Sequence, residues 1–285
     1  IHSYSFRLKG WDTRVWDYAW VNRIGLFLRA WAADTQGKDA VQLLGALPDT
    51  EITMTHDVDA ISKTLAIRIK QCIFNIFNAN RSLLKGQVKH SLRMLKTAFR
   101  FLIGNEDWWT FDRLLEMEFK AGVKAHFNFY GDVRKKTFKR WLLDPNYDIL
   151  MPKIRVLITQ IRKSGAEIGL HPTFDAWESD ETIHQQKQQL ETVCGYRVTS
   201  CRQHWLRFSW GKTWRAQESA GLTQDSTILF NDRSGFRSAA ALLWHPWNQK
   251  GGHAHSLVEL PTVIMDSHLY DYKAMDDEKR STEIE

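Results

Sequence analysis

Glu51-Ile52-Thr53-Met54-Thr55, a short β-prone run, leads directly into His56-Asp57-Val58-Asp59. Side chains alternate along a strand, so carboxylates at i and i+2 point to the same side. Two like charges that close repel unless a cation neutralises them. Such a pair at a strand end therefore has the pattern of a divalent-metal site with one carboxylate left as a base. An Asx-type turn after the strand accounts for the same residues without an ion. Both readings stand open from this stretch alone.

Upstream, Pro48-Asp49-Thr50 closes a head segment, residues 1–47, rich in tryptophan (Trp11, Trp16, Trp20, Trp31). Its stripe of Val21, Ile24, Leu28 and Trp31 predicts one or two helices outside a main domain spanning 48–285. Downstream, the chain holds no acidic residue from Ala60 to Asn105. Leu84, Val88, Leu92, Leu95, Phe99 and Leu102 recur at helical spacing, beside a parallel stripe of Arg81, Lys85, Lys89, Arg93, Lys96 and Arg100. This predicts a basic amphipathic helix within an insertion of about 60–105. A merely solvated charged face explains it. The functional alternative is peripheral contact with an anionic surface, either a membrane or an acidic polymer.

Beyond Asn105 the pattern alternates. Helices are predicted over 109–121, 151–163, 181–193 and 214–220. Strands are predicted over 123–130, 166–170, 197–201 and 257–264, following the first at 51–55. Short joins and glycines just past helix ends argue α/β with a mostly parallel sheet.

The 285 residues can bury a full core. A net charge of +6 is only mildly basic. Without a known motif, and with an acidic pair that would face phosphates, a nucleic-acid module is disfavoured. No run is long and apolar enough for a transmembrane helix. Cys72, Cys194 and Cys201 form no CxxC unit, so no disulfide framework or cysteine zinc site is expected, and free thiols lean towards a cytoplasmic, reducing compartment. The start at Ile1 and the charged tail Asp276-Asp277-Glu278-Lys279-Arg280 lead us to expect an excerpt of a longer protein.

In parallel α/β sheets the C-terminal strand ends gather on one face, where sites are built. Three predicted strands end in polar groups: His56-Asp57-Val58-Asp59, His171-Pro172-Thr173 and Arg202-Gln203-His204. Aspartate and histidine together suit zinc, with other first-row ions acceptable. The order of these motifs, with Glu167-Ile168-Gly169-Leu170 before His171 and Trp205-Leu206-Arg207 after His204, resembles the polysaccharide deacetylase superfamily (NodB-like, carbohydrate esterase family 4). Asp225-Ser226-Thr227, Gly235-Phe236-Arg237, Glu259-Leu260-Pro261 and Met265-Asp266 extend the likeness over about residues 50–270.

The resemblance implies a distorted (β/α) barrel and metal-dependent removal of N-acetyl, or sometimes O-acetyl, groups from a polysaccharide or glycoconjugate. It implies Asp57 as base, Arg202 as its partner, and Asp59 and His171 as ligands of a divalent ion, zinc first. The family's second motif carries another histidine four residues on, where this chain has Asp175. The third ligand stays open among His204, the preferred candidate, Asp175, and water or a missing residue. His268 is the local candidate for the general acid, unless that group lies past residue 285. The other reading is a catalytically inactive barrel that binds glycan or a biosynthetic partner. A metallohydrolase acting on a phosphoester is a third. Trp205, Trp210, Phe174 and Trp177 are candidates to stack on sugars or to fill the core. His56 is expected to orient Asp57 or Asp59, Arg237 to meet a substrate charge or a nearby carboxylate, and His245, His253 and His255 to be surface residues.

Overall fold

In the computed structural model, residues 8–270 and 275–284 are described, so the first seven residues of the head segment lie outside the described residues. The strands, in chain order, are β1 (Thr53–Val58), β2 (Lys124–Phe129), β3 (Glu167–Leu170), β4 (Ser200–Cys201), β5 (Gln224–Asp225), β6 (Trp247–Asn248), β7 (His253–Ala254) and β8 (Val258–Glu259). The helices are α1 (Trp20–Gln36), α2 (Ala40–Leu44), α3 (Leu65–Leu84), α4 (Val88–Ile103), α5 (Phe111–Ala121), α6 (Phe138–Leu143), α7 (Pro152–Lys163), α8 (Asp180–Cys194), α9 (Thr213–Ser219), α10 (Asp266–Tyr270) and α11 (Asp277–Ile284).

Six strands form one parallel sheet in the order β1-β2-β3-β4-β5-β8, while β6 and β7 make a separate antiparallel hairpin. The sheet curls into a half-barrel, consistent with the distorted (β/α) barrel expected. The strands follow chain order along the sheet, with the β6–β7 hairpin set between β5 and β8 in sequence. The helices α5, α7, α8 and α9 supply the crossovers and cover the outer face.

Their sequences explain this. In α7, Ile154, Leu157, Ile158 and Ile161 recur at i, i+3, i+4 and i+7, and all four are buried. In α8, the Ser179 hydroxyl caps the N-terminus by accepting from Thr182 N–H, and Gly195 ends the helix at φ 74°. Leu157 is 1% exposed within the main core. Leu157→Ala is expected to cost about 2–5 kcal/mol by lost transfer energy and a residual cavity. Chemical denaturation with an unchanged m-value checks it.

Two expectations shift. The first strand runs Thr53–Val58, so Asp57 lies inside it and Asp59 just past its end. The single basic helix is two, α3 and α4, joined by Lys85-Gly86-Gln87 with Gly86 at φ 73°. The apolar and basic spacing continues in phase across that turn, and only glycine's freedom at positive φ marks the break. The head segment carries α1, bound to the barrel side by Val21 N–H donating to Ala239 O and Ala241 N–H to Asn22 Oδ1.

Candidate metal centre

Strand alternation places the site. Asp57 pairs in register with Asn128, and Asn128 with Gly169, so the three form a row across β1, β2 and β3. Asn128 Nδ2 donates to Asp57 Oδ1 at 2.9 Å. A Cβ on Gly169 would lie 2.1 Å from Asn128 Oδ1, so only glycine leaves room for that amide. His56, one residue earlier, points to the opposite side. There it pairs with Glu118 and stacks on Phe127 at 4.5 Å between ring centroids. It therefore orients neither aspartate, as the period of two dictates.

After Asp57 the chain turns at once, with Asp59 N–H donating to Asp57 O at 3.0 Å. The backbone turn and the ion-site reading are thus compatible. Asp59 Oδ1 lies 3.4 Å from His171 Nε2 and 3.4 Å from His204 Nδ1. The two imidazole nitrogens are 2.8 Å apart. Asp59, His171 and His204 form the group of convergent ligand atoms among the described residues.

The outer ring nitrogens settle the tautomers. His171 Nδ1–H donates to Arg202 O at 2.7 Å, and His204 Nε2–H donates to Leu143 O at 2.7 Å. Each neutral ring then presents a lone pair on its inner nitrogen. Two lone pairs facing one another beside a carboxylate need a cation between them, either a proton or a metal ion. Ligating histidines held through their other nitrogen by a carbonyl are the arrangement that metal sites use. Two of the three edges, 3.4 Å each, equal the edge of a tetrahedron whose corners lie about 2.0–2.1 Å from its centre, while the edge between the two imidazoles is shorter at 2.8 Å. The donor set therefore fits a divalent ion such as zinc.

Without an ion, the same crowding moves the pKa values of all three groups. Burial pushes the His171 pKa down, but Asp57 and Asp59 outweigh it and hold it above the usual value. At His204 burial dominates and the pKa falls, despite Asp59. Crowding at Asp59 opposes its charge, yet the bond from His171 and the attraction of each ring in its protonated form hold its pKa low.

Asp57 stands beside this group rather than in it. Its Oδ1 is 3.5 Å from Arg202 Nη1 and 3.9 Å from His171 Nδ1. Arg202 is fixed in turn by donating through Nε to Ser226 O at 3.1 Å and through Nη2 to Thr262 Oγ1 at 3.2 Å. Asp175 is elsewhere, an exposed carboxylate bound to Lys139 at 2.8 Å and Arg207 at 3.1 Å. What brings His204 inward is the turn after it. Trp205 and Leu206 take left-handed conformations, φ 58° and 50°, a strain of about 1–3 kcal/mol each for non-glycine residues. Trp205 Nε1–H shares the Leu143 carbonyl with His204, at 3.0 Å.

His268 is buried, its Nδ1 accepting from Met265 N–H at 3.3 Å and its Nε2–H donating to Phe230 O at 2.9 Å. These two backbone partners belong to Met265 and Phe230, and neither is Asp57, Asp59, His171 or His204. Among the aromatic candidates, Trp205 is half-exposed against Phe174, 6.4 Å between centroids, at the site's rim. Trp210 packs on Phe208 and Trp214, and Trp177 meets Arg207. A pocket of about 170 Å³ lined by Arg134, Arg140, Asp144, Thr173, Asp175 and Thr182 adjoins this rim. Arg237 donates to Leu229 O at 2.8 Å. His255 is buried and bound to Glu218 at 2.7 Å, so it is not the surface residue its loop position implied, whereas His253 is exposed.

Asn128 is a site residue that the sequence reading misses. Its signal is present: His126 and Asn128 are polar positions at period two inside the apolar run Ala125 to Tyr130.

The chain is similar to solved structures of the polysaccharide deacetylase superfamily, carbohydrate esterase family 4 included. A protein described as a polysaccharide deacetylase from Mycobacterium smegmatis matches at 18% identity and a TM-score of 0.41, over 76% of this chain and 61% of that one. This chain thus spans about three fifths of its length. A family 4 pseudoenzyme from Bacillus anthracis matches at 17% identity and a TM-score of 0.30, over 42% of this chain and 39% of its own. The family 4 domain of a multidomain xylanase from the hindgut metagenome of Trinervitermes trinervoides matches at 17% and 0.24, over 34% and 42%. No family model and no curated protein matches.

Proposed function

We propose that the chain is a metal-dependent hydrolase that removes acetyl groups from a glycan. The carrying observation is the pair of inward imidazole lone pairs, His171 Nε2 and His204 Nδ1, closed by Asp59 Oδ1. Those three residues would hold a divalent ion, zinc first. Such an ion supplies a bound water of lowered pKa and a Lewis acid beside the acyl carbonyl.

The chain's own residues do the rest. Asp57 Oδ1 takes the proton of the attacking water, and Arg202 and Asn128 keep that carboxylate aimed. Trp205 and Phe174 offer apolar faces at the rim on which a sugar ring can stack. The leaving nitrogen or oxygen needs a proton donor. His268, engaged at both ring nitrogens by backbone groups, is not poised to be one. That observation favours a second reading, in which the barrel holds ion and glycan without turnover.

Release of acetate from a panel of N- and O-acetylated oligosaccharides separates them. The enzyme reading expects turnover that Asp57→Asn lowers by about 10²–10⁴, with ion content unchanged because Asp57 is outside the ligand group. Parent protein that retains its ion but releases no acetate from any member would sink the enzyme reading and leave the binder.

A further inference from the structure

We propose that the α3–α4 hairpin is a docking device that lays the barrel on an anionic lipid bilayer. The hairpin is built inside out. Its buried seam is small and polar: Asn75, Ala79 and Ser82 of α3 against Ser91 and Ala98 of α4. Its large apolar residues face solvent, with Leu84 90% and Phe99 63% exposed. Ile73, Phe77, Leu92 and Leu95 join them.

At about 100° per residue, the exposed Leu65, Ile69, Ile76 and Leu83 of α3 and Leu92, Leu95 and Phe99 of α4 stand about a seventh to a third of a turn from the seam in the same rotational sense, while Ile73, Phe77 and Leu84 stand about half a turn from it. The two helices run antiparallel and rotate the same way off the seam, so both stripes fall on one side of the hairpin. The result is a continuous apolar face wider than a single helix gives. The hairpin packs mainly on itself, so no other described element covers that face.

Charge identifies the occupant. No acidic residue occurs from Ala60 to Asn105. Lys63, Arg68 and Lys70 are used internally, on Glu106, on the C-terminus of α4 and on Trp141. Arg81, Lys85, Lys89, Arg93, Lys96 and Arg100 are exposed and form no ion pair among the described residues. They continue the rotation past each apolar stripe and so line its outer edges. An apolar face bordered by long cationic stems matches acyl chains below and anionic headgroups around. A second copy of the same face would bring these cations against each other. No described helix is long and apolar enough to cross a membrane, which suits a hairpin that lies in the interface. The hairpin leaves the sheet just after Asp59, and Lys70 lies over the Trp141 ring of α6 at 4.9 Å, which ties the hairpin to the barrel.

Sedimentation with phosphatidylcholine vesicles, with and without phosphatidylglycerol, tests this. The parent protein is expected to bind the anionic vesicles, and to bind at least about tenfold more weakly to phosphatidylcholine alone or in high salt. The Leu92→Glu/Phe99→Glu and Lys89→Glu/Arg93→Glu/Lys96→Glu variants should each lose about tenfold or more while keeping the parent's circular dichroism and melting profile. Absence of binding to anionic vesicles overturns the proposal. Vesicle binding indifferent to both variants does so too. A parent dimer dissolved by Leu92→Glu/Phe99→Glu, without vesicle binding, assigns the face to self-association. Retention on heparin without vesicle binding assigns the basic edges to a polyanion.

Discussion

His171→Ala and Asp59→Ala proteins retain no divalent ion after zinc loading and desalting, whereas the parent chain retains about one. The expectation follows from the donor inventory. Removing His171 takes away one of two inward imidazole lone pairs, and removing Asp59 takes away the charge that both rings face at 3.4 Å. Two remaining ligands cannot close a site in which three protein groups bind and a fourth position stays open. His204→Ala should behave alike. Asp175→Ala should keep the ion, because that carboxylate is spent on Lys139 and Arg207. Where acetate release is seen in the parent, the three ligand variants should lose at least about a thousandfold, since the ion's contribution to charge stabilisation is several kcal/mol. Elemental analysis gives the reading. An ion held equally by parent and variants would place it elsewhere, and no ion in the parent would remove metal chemistry from the protein.

His204 is the preferred third ligand from its strand-end motif, with Asp175 left open, and it is His204 that converges with Asp59 and His171. What the chain does not show is the turn that follows it. Ligand spacing along a sequence fixes neighbours only where the backbone is regular. Here the deciding feature is a pair of left-handed residues, Trp205 and Leu206, whose identities give no hint of positive φ. Asp57, Asp59 and His171 were legible because they sit on or beside strand ends, where a period of two and an abrupt polar stop are visible. The same period explains the error at His56: adjacency in sequence reads as adjacency in space, but consecutive strand residues face opposite ways. The covering helices were legible from their apolar faces, as in α7. The very short strands β5 and β8 were less so, since two residues carry no periodicity. The exposed face of the hairpin was visible as an apolar stripe, which ordinarily predicts burial. Only the seam of alanines and serines shows that the helices bury their small residues instead.

Asp225→Asn is expected to flatten the fall in stability that the parent protein shows as pH rises above about 4. Asp225 and Glu259 are paired in register on β5 and β8, and both are fully buried. Thr227 and Gln217 donate to Asp225 Oδ1, while Ile228 N–H and Trp214 Nε1–H donate to the two oxygens of Glu259. Among the described residues no ion pair reaches either carboxyl, and the Arg202 charge offsets the burial-driven rise at Asp225 only in part. Burial raises the pKa of both, Glu259 furthest because the Asp225 charge adds to it. The folded protein therefore holds a proton here that the unfolded chain releases near pH 4. More protons bound in the folded state make stability fall with pH, from the unfolded carboxylate range up to the raised folded values. The stabilisation is complete below that range and is lost as pH climbs through it, at about 1.4 kcal/mol per pH unit for each proton retained. Glu218 works in the other direction and lower down. Burial opposes its charge, but Ser256 and His255 hold its pKa at about 2, so its contribution is lost only as pH falls below the ordinary glutamate value. The two windows do not overlap. Asparagine at 225 keeps an acceptor for Thr227 and Gln217 and presents a permanent N–H to Glu259, replacing the proton by a covalent hydrogen. Urea unfolding at a series of pH values above 4 should then show a steep decline for the parent and a shallow one for Asp225→Asn. Equal slopes would mean that the pair binds no extra proton in the folded state.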